Sequence, residues 1–202
     1  MENQSKKIMT TVASMERGTI FFPSDLSSLC LKPKLVNKVL ERATVSNIIV
    51  RLATGVYCFP RIDEKYGLGI IYPSYEDVVK RIAERDNVKL APTGASAQNI
   101  LGLSTQVPMK IAYLTDGRTK TIKFSDGYVV KMFNTSKKNL AFKNRLIQLL
   151  TLSLKDIGED NVTDEQTERI RQLLSNIPLE QIKDDLRLMP CWIRNFILKL
   201  YE

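Results

Sequence analysis

Three stretches of the first 45 residues carry apolar side chains every three or four positions, the spacing of one helix face. The first covers residues 4–15, and the second begins at Pro23 or Ser24. The third begins near Pro33, a residue suited to a first helical turn. Five residues form its apolar face: Leu35, Val36, Val39, Leu40 and Ala43. The pattern predicts three helices, the third with a polar face opposite its apolar one.

The helical spacing gives way to alternation in the segment IIVRLATGVYCFP, residues 48–60. Apolar residues at every second position from Ile48 to Leu52 indicate a β-strand. Gly55 can adopt a positive φ in a short turn, and residues 56–59 form the return strand. The hairpin is hydrophobic because three short helices have too little core of their own, and the hairpin closes their open side. Three helices followed by a hairpin is the order of a winged helix-turn-helix.

Residues 70–202 mix helices and strands. Ser74 and Asp77 form an S-x-x-D pattern ahead of an amphipathic helix. A loop, a short helix and a glycine-containing exit follow. Three strands are then predicted, joined by Asp-Gly turns: 109–115, 119–125 and 128–134. Four helices complete the chain: about 140–153, 163–176, 179–188 and 190–200.

The sequence therefore predicts an α+β protein with two domains. A winged helix-turn-helix occupies residues 1–60, and the charged, glycine-containing stretch 61–69 is a linker. A mixed α+β domain covers residues 70–202, and within it residues 155–202 form a helical tail.

The charge of the chain is uneven. The net charge is +8, with 8 basic and 4 acidic residues in 1–60, 15 and 8 in 61–150, and 7 and 10 in 151–202. A basic body with an acidic tail suits a polyanionic partner, most often nucleic acid. No apolar run is long enough for a membrane span or a signal peptide, so a cytoplasmic protein is expected.

The composition argues against an enzyme. Histidine is absent, which excludes Ser-His-Asp and Cys-His catalysis and histidine-ligated metals. Carboxylate chemistry stays open, but neither Asp63 with Lys65 in the linker nor Asp116 in a predicted hairpin turn forms a cluster for a metal-dependent nuclease. Three widely spaced cysteines, Cys30, Cys58 and Cys191, are expected to be small buried side chains. No metal and no cofactor are predicted.

The polar face of the third helix is the candidate DNA-contacting surface. If its apolar face fixes the helix to the domain, the polar face is free to enter a major groove. Lys34 and Lys38 can contact phosphates or guanine, and Asn37 can pair with adenine. A solvated face used for protein contacts is the alternative. Gly94, which precedes a short helix, could present N–H groups to an anion, but a simple turn is favoured there, and the LGLST segment (101–105) is predicted to be a packing turn.

Three segments together resemble a known family: RLATGVYCFP, PSYEDVVKRIA and above all LAPTGASAQNILGLSTQVPMKIAYLTDG. They are similar to AbiEi-type antitoxins, the transcriptional regulators of type IV toxin–antitoxin systems. The similarity covers residues 5–150, and the TG…LGLSTQVP…YLTDG run is its specific part.

The resemblance implies a winged helix that binds inverted repeats in operator DNA and represses its own operon. It also implies a C-terminal domain that counters a nucleotidyltransferase-like toxin without a stable complex. The recognition helix then falls on residues 32–42, and the wing on 53–55. The DNA-contacting residues are Lys32, Lys34, Asn37, Lys38, Arg42 and Thr54. Wings of this family often carry a basic residue just before the glycine, whereas Thr54 here offers only a neutral hydrogen bond.

Two other functions stay open from the sequence. The winged helix and the α+β domain could be an interaction module that binds a partner protein directly, with DNA contact only incidental. A nucleic-acid enzyme that uses buried carboxylates is the third possibility, disfavoured because the acidic residues are not clustered.

Overall fold

Three helical segments and a hairpin form from the first 60 residues where the sequence predicts them, and a short strand between the first two helical segments extends the hairpin to a three-stranded sheet. The computed structural model describes residues 2–63, 65, 67–106 and 109–202. Helix α1 spans Glu2–Ala13, a 3-10 helix spans Pro23–Leu29, and helix α2 spans Pro33–Val45. Strands β1 (Ile20–Phe21), β2 (Val50–Ala53) and β3 (Val56–Cys58) pair antiparallel in the order β1-β3-β2.

These elements enclose a shared hydrophobic core. Ile8 and Val12 of α1 are fully buried, and Phe21 and Ile49 are 1% exposed. The predicted apolar face of α2 is confirmed, since Val36, Val39, Leu40 and Ala43 are buried and Leu35 packs against the same core. Because the buried face of α2 is fixed in this way, its opposite face is exposed to solvent.

The turn after α2 differs from the sequence prediction. Asn47 has a φ of 55°, and the Ile48 N–H donates to the Ala43 carbonyl at 2.9 Å, which ends the helix. Ile48 therefore lies before the strand and is 47% exposed, whereas Ile49 is 1% exposed. The predicted alternation is wrong at Ile48, because the left-handed backbone of Asn47 turns the chain and the strand begins only at Val50.

The predicted linker contains regular structure. Strands β4 (Arg61–Asp63) and β5 (Gly69–Ile71) form an antiparallel pair, and helix α3 (Tyr75–Arg85) follows. Arg81 of α3 donates to the Ile20 carbonyl and to the Asp25 carboxylate, each at 3.3 Å. Accordingly, one compact unit comprises Met1–Arg85 with Ile122–Val129, and strands β4 and β5 lie inside it.

The second unit comprises Asp86–Thr121 and Val130–Glu202. Strand β6 (Leu90–Pro92) and helix α4 (Gly94–Leu101) precede three strands: β7 (Ala112–Thr115), β8 (Lys120–Lys123) and β9 (Val129–Asn134). The sheet order is β6-β7-β9-β8. Because β7 pairs in parallel with β9, the segment at Asp116 links strands that are not neighbours. The predicted hairpin turn at Asp116 is therefore wrong, whereas the three strands themselves are confirmed.

Four helices complete the second unit: α5 (Arg145–Ile157), α6 (Asp164–Leu174), α7 (Leu179–Leu186) and α8 (Cys191–Lys199). They coincide with the predicted helices to within a few residues. Their buried side chains form one core with those of α4, and the single tryptophan, Trp192, is partly buried against it. The chain is thus an α+β protein with several small sheets.

The cysteines divide differently from the prediction. Cys58 is buried and free, and burial raises the pKa of its thiol to about 11. Cys30 and Cys191 are exposed, so their predicted burial is wrong. Cys30 lies in a left-handed conformation at the end of a 3-10 helix, and Cys191 begins α8, and both positions face solvent.

Candidate nucleic-acid interface

All six residues predicted to contact DNA lie on the solvent-exposed surface of the first unit. Five belong to α2 or its N-cap, and the sixth is at the β2–β3 turn: Lys32, Lys34, Asn37, Lys38, Arg42 and Thr54. In the described part of the chain, no carboxylate forms an ion pair with any of the four basic side chains. Their charge is therefore available to a ligand.

The N-terminus of α2 carries positive charge where helices usually carry negative charge. Lys32 is the N-cap residue, Lys34 lies in the first turn, and that turn contains no acidic residue. Cations are unfavourable there because they face the positive end of the helix dipole. The same arrangement favours an anion such as a phosphate, which can interact with both lysines at the positive end of the helix dipole.

The exposed surface of α2 is divided into two rows, because residues four positions apart lie above one another on a helix. The first, the basic row, consists of Lys34, Lys38 and Arg42. The second, the mixed row, consists of Asn37, Glu41 and Val45. All members of both rows are exposed, and Val45 is 80% exposed.

The mixed row faces the β2–β3 hairpin across a groove of about 520 Å³. Asn37, Glu41, Thr44 and Val45 line the helix side. Arg51, Thr54, Gly55 and Tyr57 line the hairpin side. Gly55 has a φ of 70°, which permits the tight turn at the hairpin tip. The groove thus brings the predicted helix residue Asn37 and the predicted wing residue Thr54 to one surface.

The hairpin side of the groove is held in place by a later segment of the same unit. The Ser125 N–H donates to the Leu52 carbonyl at 2.9 Å, and its hydroxyl donates to the Arg51 carbonyl at 2.7 Å. A β-bridge also joins Ala53 to Phe124. These bonds occupy the backbone of β2 and leave the Arg51 side chain exposed.

Arg51 is a candidate contact that the sequence prediction did not include. Arg51 lies three residues before Thr54 at the hairpin tip, and it supplies the positive charge that Thr54 lacks. The signal was present in the sequence, as a charged residue alternating with apolar ones on a strand, whose side chain must point outward.

The other segments considered from sequence have structural explanations. A Cβ added to Gly94 would clash with the Asp156 side chain and lie 2.9 Å from the Leu152 carbonyl oxygen, so glycine there allows α4 to approach α5 closely. The LGLST segment is a packing turn, as predicted, since Arg169 donates to the Leu101 carbonyl and Gln166 to the Leu103 carbonyl.

Two more general features concern the described residues. Glu64, in the middle of the Asp63–Lys65 stretch, lies outside the described residues. Among the residues that are described, no group of three histidine, cysteine or acidic side chains is placed to hold a metal ion. No helix in the part of the chain that is described is long and apolar enough to cross a membrane.

Comparison with known proteins gives a family and a distant structural likeness. The fold is similar to the crystal structure of the RV2827C protein from Mycobacterium tuberculosis, with 16% identity and a TM-score of 0.44. That alignment covers 96% of this chain and 80% of the other. No curated protein matches the chain. A family model matches residues 7–182, and the chain therefore belongs to DUF6088, a family of unknown function.

Proposed function

We propose that the protein binds DNA through its first unit, with α2 as the recognition helix of a winged helix-turn-helix and the β2–β3 turn as its wing. The observation that carries this proposal is the exposed surface of α2, where four basic residues have no acidic partner among the described residues. The groove beside it joins helix and hairpin residues into one contact surface. A helix with a fixed apolar face and an exposed polar face fits the major groove.

The basic row of α2 would supply mainly affinity. Each lysine that neutralises a phosphate releases a counterion and adds about 0.9 to the slope of log K against log salt. Between 50 and 200 mM salt, this corresponds to about 3.5-fold in affinity for each lysine. Arg51 would extend the same contribution to the wing.

We further propose that the protein represses its own operon and acts as an antitoxin. This part rests on the AbiEi-like segments of the sequence, above all the run from Leu90 to Gly117. The partner would be a nucleotidyltransferase-like toxin, opposed without a stable complex. The operator would contain inverted repeats, each bound by one protomer.

Binding to the upstream region of the gene tests the DNA proposal. We expect paired footprints and submicromolar affinity for the full-length protein in moderate salt. Lys34→Ala and Lys38→Ala should each lower the salt slope by about 0.9. Lys80→Ala is the matched control, because Lys80 is an exposed helical lysine of the same unit that pairs with Glu76 at 2.9 Å. If both α2 variants keep the wild-type affinity and slope, α2 is not the helix in the groove.

Rescue of cells from the toxin tests the antitoxin proposal. Lys38→Ala should lose repression yet still rescue cells when it is expressed from an unrelated promoter. Loss of rescue at normal protein level in every α2 variant would mean that the protein opposes the toxin only through the promoter. Stable copurification with the toxin would contradict the type IV assignment.

One observation favours a protein partner instead. Val45 and Ile48 are 80% and 47% exposed at the end of α2, although both are apolar. If the upstream region shows no footprint, this end of α2 is the surface to test for protein binding.

A further inference from the structure

The mixed row of α2 has a composition that phosphate contacts do not explain. Its central residue, Glu41, is exposed in the groove, between Asn37 and Val45. No hydrogen bond or ion pair joins the Glu41 side chain to another of the described residues. A carboxylate at this position repels the phosphate backbone, so it weakens nonspecific binding to DNA.

The same residue suits a base edge. A carboxylate only accepts hydrogen bonds, and the cytosine N4 amino group is the donor that glutamate and aspartate recognise in the major groove. Asn37, one helical turn earlier, can pair with adenine, and an apolar side chain such as that of Val45 can contact a thymine methyl group. The three side chains are therefore suited to three different base edges, whereas the basic row beside them is suited to phosphates.

We infer that Glu41 determines sequence specificity by accepting a hydrogen bond from a cytosine amino group, with the mixed row reading bases and the basic row holding the backbone. This inference rests on the proposed DNA binding. It predicts that affinity and specificity separate on one helix: the basic row sets how tightly DNA is held, and Glu41 sets which sequence is chosen.

Selection from a randomised duplex library tests the inference with the full-length protein. Wild type should enrich a motif with one strongly preferred C·G pair. Glu41→Gln should weaken that preference by roughly 5-fold or more, because its amide keeps one acceptor oxygen and adds an N–H donor that suits adenine. It should also bind random duplex more tightly, because a negative charge is removed. Glu16→Gln makes the same charge change at an exposed residue of the same unit outside the groove, and it should keep the wild-type motif.

The outcomes distinguish this inference from the proposed function. If wild type and Glu41→Gln enrich one motif with equal strength at every position, the inference is wrong although DNA binding stands. If wild type binds neither the selected duplexes nor random duplex, the proposed function fails, and the inference fails with it. A second variant, Glu41→Ala, should lose the same C·G preference.

Discussion

Asp185 is expected to be the most important polar residue for the stability of the second unit. It lies in α7, is 1% exposed and accepts two backbone hydrogen bonds at 2.8 Å, from the N–H groups of Lys143 and Asn144. Asn144 in turn caps α5 by accepting from the N–H groups of Leu146 and Ile147. Asp185 therefore fixes the start of the helix that runs through the second core.

The magnitude follows from those two bonds. A hydrogen bond to a charged group contributes about 1.5–3 kcal/mol, so Asp185→Ala should lower the free energy of unfolding by about 3–6 kcal/mol. That loss is a large fraction of the roughly 5–15 kcal/mol typical of a folded protein. Asp185→Asn keeps one acceptor oxygen and should lose about half as much.

The neighbouring residue provides the control. Asp184 forms an ion pair with Lys143 at 2.7 Å, but the two side chains are 64% and 75% exposed, and solvent screens the attraction. Asp184→Ala should leave the urea midpoint, followed by far-UV circular dichroism, almost unchanged. Equal midpoints for Asp185→Ala and Asp184→Ala would refute the reasoning. If Asp185→Ala does not fold, Asp185→Asn against Asp184→Ala makes the same comparison.

Two further predictions concern packing and titration. Gly94→Ala should destabilise the protein by about 1–3 kcal/mol because its Cβ would crowd the Asp156 side chain and the Leu152 carbonyl oxygen. Urea unfolding measures this against Ala95→Ser at an exposed position, and equal stability of the two variants would contradict it. The hydrogen bond to Asp126 raises the pKa of Tyr75 in the folded protein. Any stability from this bond is therefore fully present below the tyrosine pKa of the unfolded chain, near 10, and is lost as the pH rises through the Tyr75 pKa of the folded protein. Asp126→Asn should lower the Tyr75 pKa, measured by NMR of the tyrosine ring carbons, and an unchanged pKa would exclude the bond as its cause.

The helices were more predictable from sequence than the sheet topology. The spacing of apolar residues determines which face of a helix is buried, and the predicted face of α2 is buried. Strand order depends on pairing between distant segments, which local periodicity does not encode. The Asp-Gly sequence at Asp116 therefore indicated a break between two strands but did not reveal that β9 lies between β7 and β8. The short strands β4 and β5 were also not predicted, since charge and glycine in 61–69 favoured a linker.

The candidate site was partly predictable, because the spacing of apolar residues also determines which face of a helix is exposed. The exposed face of α2 followed from its buried face, and the six predicted residues are exposed. The groove was not predictable, because it depends on how the hairpin lies against the helix. That placement gives Glu41 and Arg51 a common surface although they are ten positions apart in sequence.

The extent of the first unit determines how its function can be tested. A fragment that ends near residue 65 lacks α3, and with it the two arginines, Arg81 and Arg85, that cover the ring of Phe22 at 5.4 and 4.3 Å. It also lacks Ser125, whose bonds occupy the backbone of β2. Such a fragment exposes a core aromatic ring and an unpaired strand edge, so its failure to bind DNA would report unfolding rather than the wrong interface. Substitutions of exposed α2 residues in the full chain avoid this ambiguity, because they remove charge without removing any buried contact.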